Sequence, residues 1–241
     1  LYDIAEVDKQ DRIYSYILAR GKGVVGVGTP YFMFYVLQAL FHSGRYQKAV
    51  EIIRERWGDM LKKGATTFWE VFGNWTLSRC HGWSSGPAML LSAEILGVQP
   101  IAPGFKVFQI QPHPVDLTWA KGVVPTPLGD ISVAWQEVWE EAENETFFEL
   151  KVHIPEGTTG EVLLSGLANA NPTVSLNDLV FWSQGKIKMK PRGVKKVERE
   201  DNNLRVTLEG AGGYQFKVMQ LTTVILEGYG GTRWKMSSEE V

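Results

Sequence analysis

Residues 97–111 read Gly-Val-Gln-Pro-Ile-Ala-Pro-Gly-Phe-Lys-Val-Phe-Gln-Ile-Gln, and the spacing of the apolar residues changes at this stretch. Upstream, apolar side chains recur every three or four residues, which is typical of amphipathic helices. Downstream, apolar and polar residues alternate in short segments, which is typical of half-buried strands. Pro100, Pro103 and Gly104 form a linker between the two patterns. The sequence therefore predicts a helical part followed by a β part.

The helical part is predicted to contain four helices. Thr29 and Pro30 mark the clearest start, because threonine is a favoured N-cap and proline fits the first helical position. The predicted helices run from Asp8 to Arg20, from Pro30 to Gly44, from Tyr46 to Gly64 and from Ser85 to Leu96. The second and third carry large aromatic residues around much of their circumference, which suits helices buried on two sides, as in a helical barrel. Four helices cannot close such a barrel, so this part is predicted to be the last segment of a larger helical domain.

The β part is predicted to be an antiparallel sandwich, because short alternating segments are separated by turn residues at regular intervals. The predicted strands are 105–111, 116–123, 130–135, 146–154, 160–164, 195–200, 204–208 and 214–219. Trp119 and Trp135 lie in these segments and are expected in the sandwich core, as Trp57 is in the helical core. The predicted domains are 1–99, helical; 100–220, the sandwich; and 221–241, a tail left unassigned.

Residues 64–87 contain the densest functional signal, with the sequence GATTFWEVFGNWTLSRCHGWSSGP. Tryptophan rings stack on the C–H face of a pyranose, while a carboxylate and an imidazole can bind its hydroxyls or transfer protons. Glu70 and His81 are therefore candidate functional residues; the alternatives are a surface or N-cap carboxylate and a structural histidine. Trp69 and Trp83 are candidates either for the sugar pocket or for packing inside the helical domain.

Other reactive groups are given structural roles. Cys80 is the only cysteine and is expected to be a buried structural thiol, because adjacent residues such as Cys80 and His81 rarely point at each other. Trp75, Phe68 and Tyr31 are less favoured as pocket residues than the two tryptophans above. No group of His, Cys and carboxylate residues has metal-ligand spacing, so neither a metal nor a cofactor is predicted. His42, His113 and His153 are expected to have no catalytic role.

The composition bears on which classes of binding partner are expected. The chain has 25 basic and 27 acidic residues, so nothing indicates a nucleic-acid or membrane partner. The basic run from Lys186 to Arg199 is interpreted as a solvated strand face in preference to an anion site. The acidic run from Glu137 to Glu145 is interpreted as a solvated hairpin tip. A single cysteine is compatible with a reducing compartment, so localisation is left open with the cytoplasm slightly favoured.

The motifs, taken together, resemble those of bacterial α-L-rhamnosidases, the family 78 glycoside hydrolases. The matching segments of the helical part are 28–31, 57–58, 64–70, 80–84 and 96–97. The match continues into the β part at 102–105, 111–113, 116–120 and 126–129. From about Glu137 onward only the architecture supports the resemblance.

The resemblance implies the final helices of an (α/α)6 six-hairpin barrel followed by a C-terminal β-sandwich, in an enzyme that hydrolyses terminal α-L-rhamnosides with inversion. It assigns the general base to Glu70 and a sugar contact to His81. It places the general acid in a motif upstream of Leu1, so this chain is expected to be a C-terminal part that is inactive alone.

Two alternatives remain open: a non-catalytic carbohydrate-binding or structural fragment, and a related barrel glycosidase with another sugar specificity. The expected partner is a rhamnose-containing glycoside or oligosaccharide. Exposed apolar barrel seams are also expected to drive self-association or docking to the missing N-terminal part.

Overall fold

The computed structural model of the protein describes residues 5–18, 26–73, 77–140, 145–165, 172–219, 224–227 and 233–236. The chain forms two compact units, 1–91 and 92–241. The first unit is helical and the second contains the sheets. The predicted domain limits, 1–99, 100–220 and 221–241, stay predictions.

Helices occur where the three- to four-residue spacing predicts them. Their bounds are α1, Val7–Leu18; α2, Pro30–His42; α3, Tyr46–Lys62; and α4, Gly86–Leu90. A 3₁₀ turn covers Gly82–Ser84, and a π-helical turn covers Leu91–Ile95. The fourth predicted helix is therefore built from a short α-helix and a π turn. No helix in the described part of the chain is long and apolar enough to cross a membrane.

The start of α2 is fixed by its cap. The hydroxyl of Thr29 accepts a hydrogen bond from the backbone N–H of Phe32 at 3.3 Å, and Pro30 occupies the first helical position. This bond satisfies one of the donors that a helix start leaves unpaired. The helix then buries Met33, Leu37 and Leu40. The cap thus fixes where α2 begins.

Fourteen strands are found in the described part of the chain, in three sheets. The first sheet has the order β1-β2-β6-β11-β10, the second β3-β4-β5-β12-β7-β8-β9, and the third is the hairpin β13-β14. Their bounds are β1, Val98–Pro100; β2, Val107–Ile110; β3, Trp119–Val124; β4, Ile131–Glu140; β5, Glu145–Ile154; β6, Thr159–Leu164; β7, Thr173–Leu176; β8, Leu179–Ser183; β9, Lys186–Ile187; β10, Val194–Glu200; β11, Asn203–Glu209; β12, Gly212–Met219; β13, Val224–Glu227; and β14, Arg233–Met236.

All eight predicted strands are confirmed, and their pairing is antiparallel except between β2 and β6, which run parallel. The alternation of each strand sends every second side chain into the space between the two larger sheets. A Cβ atom at Gly160 of the first sheet would lie 3.2 Å from Cγ2 of Ile154 of the second sheet, so the two sheets approach closely there. The residues of the unassigned tail that are described form the β13-β14 hairpin.

The prediction for Trp135 is confirmed and that for Trp119 is wrong. Trp135 is 2% exposed and its indole N–H donates to the backbone oxygen of Ile95 at 3.0 Å. Trp119 is 60% exposed. It pairs with Gln136, whereas Ala120 pairs with Trp135, so Trp119 lies on the opposite face of the sheet. Alternation predicts that the faces differ but not which face is buried.

A single glycine allows the turn that leads into β1. Gly97 has φ of +89°, and a Cβ atom there would lie 2.3 Å from the carbonyl carbon of Gln111. Its own carbonyl accepts the backbone N–H of Gln111 at 2.9 Å. A side chain at this position would therefore have to break the pairing between β1 and β2.

We expect Gly97→Ala to lower the free energy of unfolding by about 3 kcal/mol or more, because backbone strain adds to a backbone clash. The measurement is urea unfolding followed by circular dichroism. The control is Gly213→Ala in β12, where a Cβ meets nothing within 4 Å. The control should stay within about 1 kcal/mol of the parent chain. Equal stability of the two variants would contradict this account of Gly97.

Candidate functional site

Two backbone segments lie side by side and carry the predicted site. The N–H of Glu70 donates to the carbonyl of Ser78 at 2.9 Å, and the N–H of His81 donates to the carbonyl of Phe68 at 2.8 Å. The hydroxyl of Thr67 donates to a carbonyl of the opposite segment, that of residue 79. These bonds fix the register of the two segments. They bring together two residues that are eleven positions apart in the sequence.

Glu70 and His81 are neighbours in this arrangement. Oε2 of Glu70 accepts a hydrogen bond from the backbone N–H of Ser78 at 3.2 Å. Nδ1 of His81 lies 4.0 Å from the same oxygen, and both side chains are partly exposed. This distance exceeds that of a hydrogen bond, so the imidazole does not immobilise the carboxylate. Both groups thus remain able to contact a molecule from solvent.

Aromatic rings continue from His81. The ring of Trp83 lies 4.3 Å from that of His81, centroid to centroid, and 5.2 Å from that of Tyr31. Tyr31 in turn contacts Tyr35 one helical turn further along α2, with their hydroxyl groups 3.2 Å apart. Trp83, Tyr31 and Tyr35 are 57%, 44% and 39% exposed. They form an open row of rings, which we call the aromatic row.

A buried tryptophan holds the turn that carries Trp83. The indole N–H of Trp57 donates to the backbone oxygen of Ser84 at 2.9 Å. Trp57 is 6% exposed, which confirms its predicted place in the core. Gly86 allows α4 to approach α2 closely, because a Cβ there would lie 2.7 Å from the ring of Phe34. The exposed position of Trp83 therefore depends on a buried neighbour.

Trp69 differs from Trp83. It is 7% exposed, and the guanidinium of Arg79 lies 5.0 Å from its ring centre, in cation–π contact. In this chain Trp69 packs, while Trp83 faces solvent; the sugar-binding role of both stays a prediction. Phe68 is 37% exposed. Trp75 lies outside the described residues.

The prediction that Cys80 is a buried thiol is wrong, because the residue is exposed. Its backbone N–H is bound by the hydroxyl of Ser78 at 3.3 Å. The segment is thus held by backbone and hydroxyl groups, and its thiol is not needed for packing.

The other histidines lie away from this group of residues along the chain. Nδ1 of His113 lies 3.0 Å from the backbone oxygen of Glu94 and 3.8 Å from Oε2 of that residue. Burial lowers the pKa of His113, and the bond to the Glu94 carbonyl only partly opposes this effect. His42 ends α2 and His153 lies on β5. Among the described residues no three His, Cys, Asp or Glu side chains come together as metal ligands.

Two tyrosines of the candidate site were not predicted as main components from the sequence. Tyr35 is not signalled by any motif, and Tyr31 ranked below the tryptophans. The available signal is their four-residue spacing on α2, which places both rings on one side of a helix. Chemically, the arrangement combines a carboxylate, an imidazole and a stacking surface. Such a combination can bind a sugar and activate a water molecule.

The comparisons with known proteins bear on the family resemblance and on the fold. Residues 97–176 match the family described as bacterial alpha-L-rhamnosidase C-terminal domain. An alpha-L-rhamnosidase of Formosa agariphila is 30% identical over 119 residues, which cover 44% of this chain and 12% of that protein. The chain therefore spans only a small part of this curated relative.

Solved structures extend the likeness across both units. An alpha-L-rhamnosidase from Dictyoglumus thermophilum has a TM-score of 0.70 and 21% identity, and the match covers 90% of this chain and 24% of that one. A Streptomyces avermitilis alpha-L-rhamnosidase, solved with L-rhamnose, has a TM-score of 0.55 and 24% identity over 76% of this chain and 17% of its own. At these identities the structures show a shared fold. The sequence matches confirm the predicted resemblance to bacterial α-L-rhamnosidases, and residues 97–176 are similar to the C-terminal domain of that family.

Proposed function

We propose that this chain contributes the general base and part of the sugar pocket to an enzyme that hydrolyses terminal α-L-rhamnosides with inversion. The observation that carries the proposal is the placement of Glu70 beside His81, with an exposed aromatic row next to them. The proposal also takes helices α1 to α4 as the final helices of an (α/α)6 barrel. The kinship with α-L-rhamnosidases supports the substrate class.

Glu70 is the proposed base. An inverting hydrolase uses an ionised carboxylate to deprotonate water while a second, protonated carboxyl group donates to the leaving oxygen. The backbone bond from Ser78 holds Oε2 of Glu70, and the partial exposure of the side chain leaves the carboxylate open to water. The second carboxyl must lie about 6.5–9.5 Å away to leave room for that water. We assign it to no residue of this chain and expect the chain alone not to turn over substrate.

His81 and Trp83 are the proposed sugar contacts. A pyranose presents C–H groups on its face and hydroxyl groups at its edge, so it fits a ring beside a polar group. The indole of Trp83 offers the face contact, and the imidazole of His81, 4.3 Å from it, can bind a hydroxyl at the edge. Trp69 is the proposed support beneath this surface. Its packing against Arg79 would hold the strand-like segment that carries Glu70.

The first test replaces the base. In the native gene product, we expect Glu70→Gln to lower kcat on a rhamnoside by about 10²–10⁴-fold, because the amide cannot accept the proton of water. The measurement is release of p-nitrophenol from p-nitrophenyl α-L-rhamnoside. Glu156→Gln, at an exposed turn, is the matched control and should leave kcat unchanged. Near-normal turnover by the Glu70 variant, with its circular dichroism unchanged, would refute the assignment.

The second test separates sugar binding from proton transfer. We expect His81→Ala in the native gene product to raise KM about 2- to 10-fold, the value of one neutral hydrogen bond. Since the proposed imidazole moves no proton, the pH dependence of kcat should keep its shape. The measurement is a set of kcat and KM values between pH 4 and pH 9. Loss of one limb of the pH profile would instead assign His81 to acid–base chemistry.

A second candidate function is a non-catalytic carbohydrate-binding module. It is favoured by the exposure of Trp83, Tyr31 and Tyr35, which suits binding without any chemistry. Calorimetry of the chain with L-rhamnose, combined with the Glu70→Gln assay, distinguishes the two candidates. Binding together with an unaffected turnover in that assay would support the module. A related barrel glycosidase of other specificity would favour another monosaccharide in the same titration.

Helix α2 supports the proposed association. Phe32 on α2 is 55% exposed and does not belong to the aromatic row proposed for the sugar. Exposed apolar surface of this kind can mark an interaction surface. We therefore propose that the chain self-associates or docks to further sequence of the same enzyme through α2.

A further inference from the structure

The seven-stranded sheet has an outer face whose side chains form rows across the strands. Cross-strand pairing places Trp119, Gln136 and Glu149 in one row. The next row contains Lys121, Ala134 and Lys151, and a third contains Val123, Ser132 and His153. The face is opposite to the one that buries Trp135. None of these residues belongs to the site described above.

Small residues on β4 create a groove along this face. Ala134 and Ser132 lie between the longer side chains of β3 on one side and β5 on the other. The resulting groove has a volume of about 520 Å³ and adjoins a depression of about 150 Å³. Lys121, Ala134 and Lys151 line both. Trp119 lines the smaller depression, at one end of the groove.

The spacing in the groove matches one sugar ring. Trp119 and Lys121 are two residues apart on the same strand face, hence about 7 Å apart, close to the span of a pyranose with its substituents. Lys121 and Lys151 flank Ala134 across two strand spacings, about 10 Å apart. The indole of Trp119 is 60% exposed, so its ring is available for stacking. A pyranose on this ring would present its exocyclic group to a lysine.

The charges of the groove favour an anion. Among the residues that line the groove, Glu149 is the one carboxylate. It accepts hydrogen bonds from Gln136 at 2.7 Å and from Gln215 at 2.5 Å. It also forms an ion pair with Lys151 at 3.1 Å. Burial alone would raise the pKa of Glu149, but these partners lower it below its ordinary value. Its charge is thus balanced within the network. Lys121 forms no ion pair with any described residue, so the groove keeps a positive charge.

We propose that this groove binds an acidic glycan, with a uronate pyranose stacked on Trp119 and its carboxylate paired with Lys121. The groove is a binding site separate from the proposed catalytic residues, and it does not depend on the proposed hydrolysis. A neutral sugar would use the ring of Trp119 but leave the charge of Lys121 unmatched. The whole chain has a formal net charge of −2, so attraction to a polyanion requires a local site.

The test is affinity electrophoresis of the 241-residue chain through native gels that contain polygalacturonate or, in a parallel set, neutral galactan. We expect retardation by polygalacturonate and less by galactan, with the retardation decreasing as salt screens the ion pair. Trp119→Ala should weaken the apparent affinity about tenfold, through loss of the stacking surface. Lys121→Gln should weaken it about three- to fivefold and remove the salt dependence.

Trp139→Ala is the matched control. Trp139 lies on β4, next to the strand that carries Trp119, and is 57% exposed. It alternates with the outer-face residues and does not line the groove. This variant should be retarded like the parent chain, and circular dichroism should show that all three variants fold. Absence of retardation in polygalacturonate, or equal losses in the Trp119 and Trp139 variants, would overturn the site. Equal retardation by galactan would overturn the acidic ligand.

Discussion

The hydrogen bond from Trp135 to the backbone of Ile95 determines which face of the second sheet is buried. The indole is almost completely enclosed, and it also stacks on Phe148 with ring centres 6.0 Å apart. A buried indole N–H without a partner would cost about 1–3 kcal/mol, so one register of β4 is strongly preferred. A shift by one residue would expose Trp135 and bury Gln136. This register of β4 places Gln136 and Ala134 on the outer face.

Register has the same importance in the helical unit, although no regular sheet is present around the site. Two backbone hydrogen bonds, one from Glu70 and one from His81, align the segments that carry them. The side chains then meet on one side without a direct hydrogen bond between them. Because neither group neutralises or holds the other, both remain available to a ligand. The arrangement is therefore compatible with the roles proposed for Glu70 and His81.

The helices and eight of the strands could be predicted because the spacing of apolar residues differs between helices and strands. The six short strands β1, β7, β8, β9, β13 and β14 were missed, since two to five residues contain too few alternations to be recognised. Trp119 was misplaced for another reason: β3 is an edge strand, and its pattern does not indicate which side is covered. Glu70, His81 and Trp83 were proposed from one segment of sequence. The contact of Trp83 with Tyr31 of α2 is a tertiary contact, which the spacing within a segment does not show.

The two proposed sugar surfaces differ in charge, and this difference bears on what each can select. The aromatic row of Trp83, Tyr31 and Tyr35 has no charged group of its own, which suits a sugar recognised by its face and hydroxyls. The groove around Trp119 also contains Lys121, whose charge is unmatched. This lysine makes the groove prefer a charged sugar to a neutral one only if the anionic group of the sugar can reach it. The aromatic row therefore suits a neutral sugar, whereas the groove suits a sugar that carries a carboxylate.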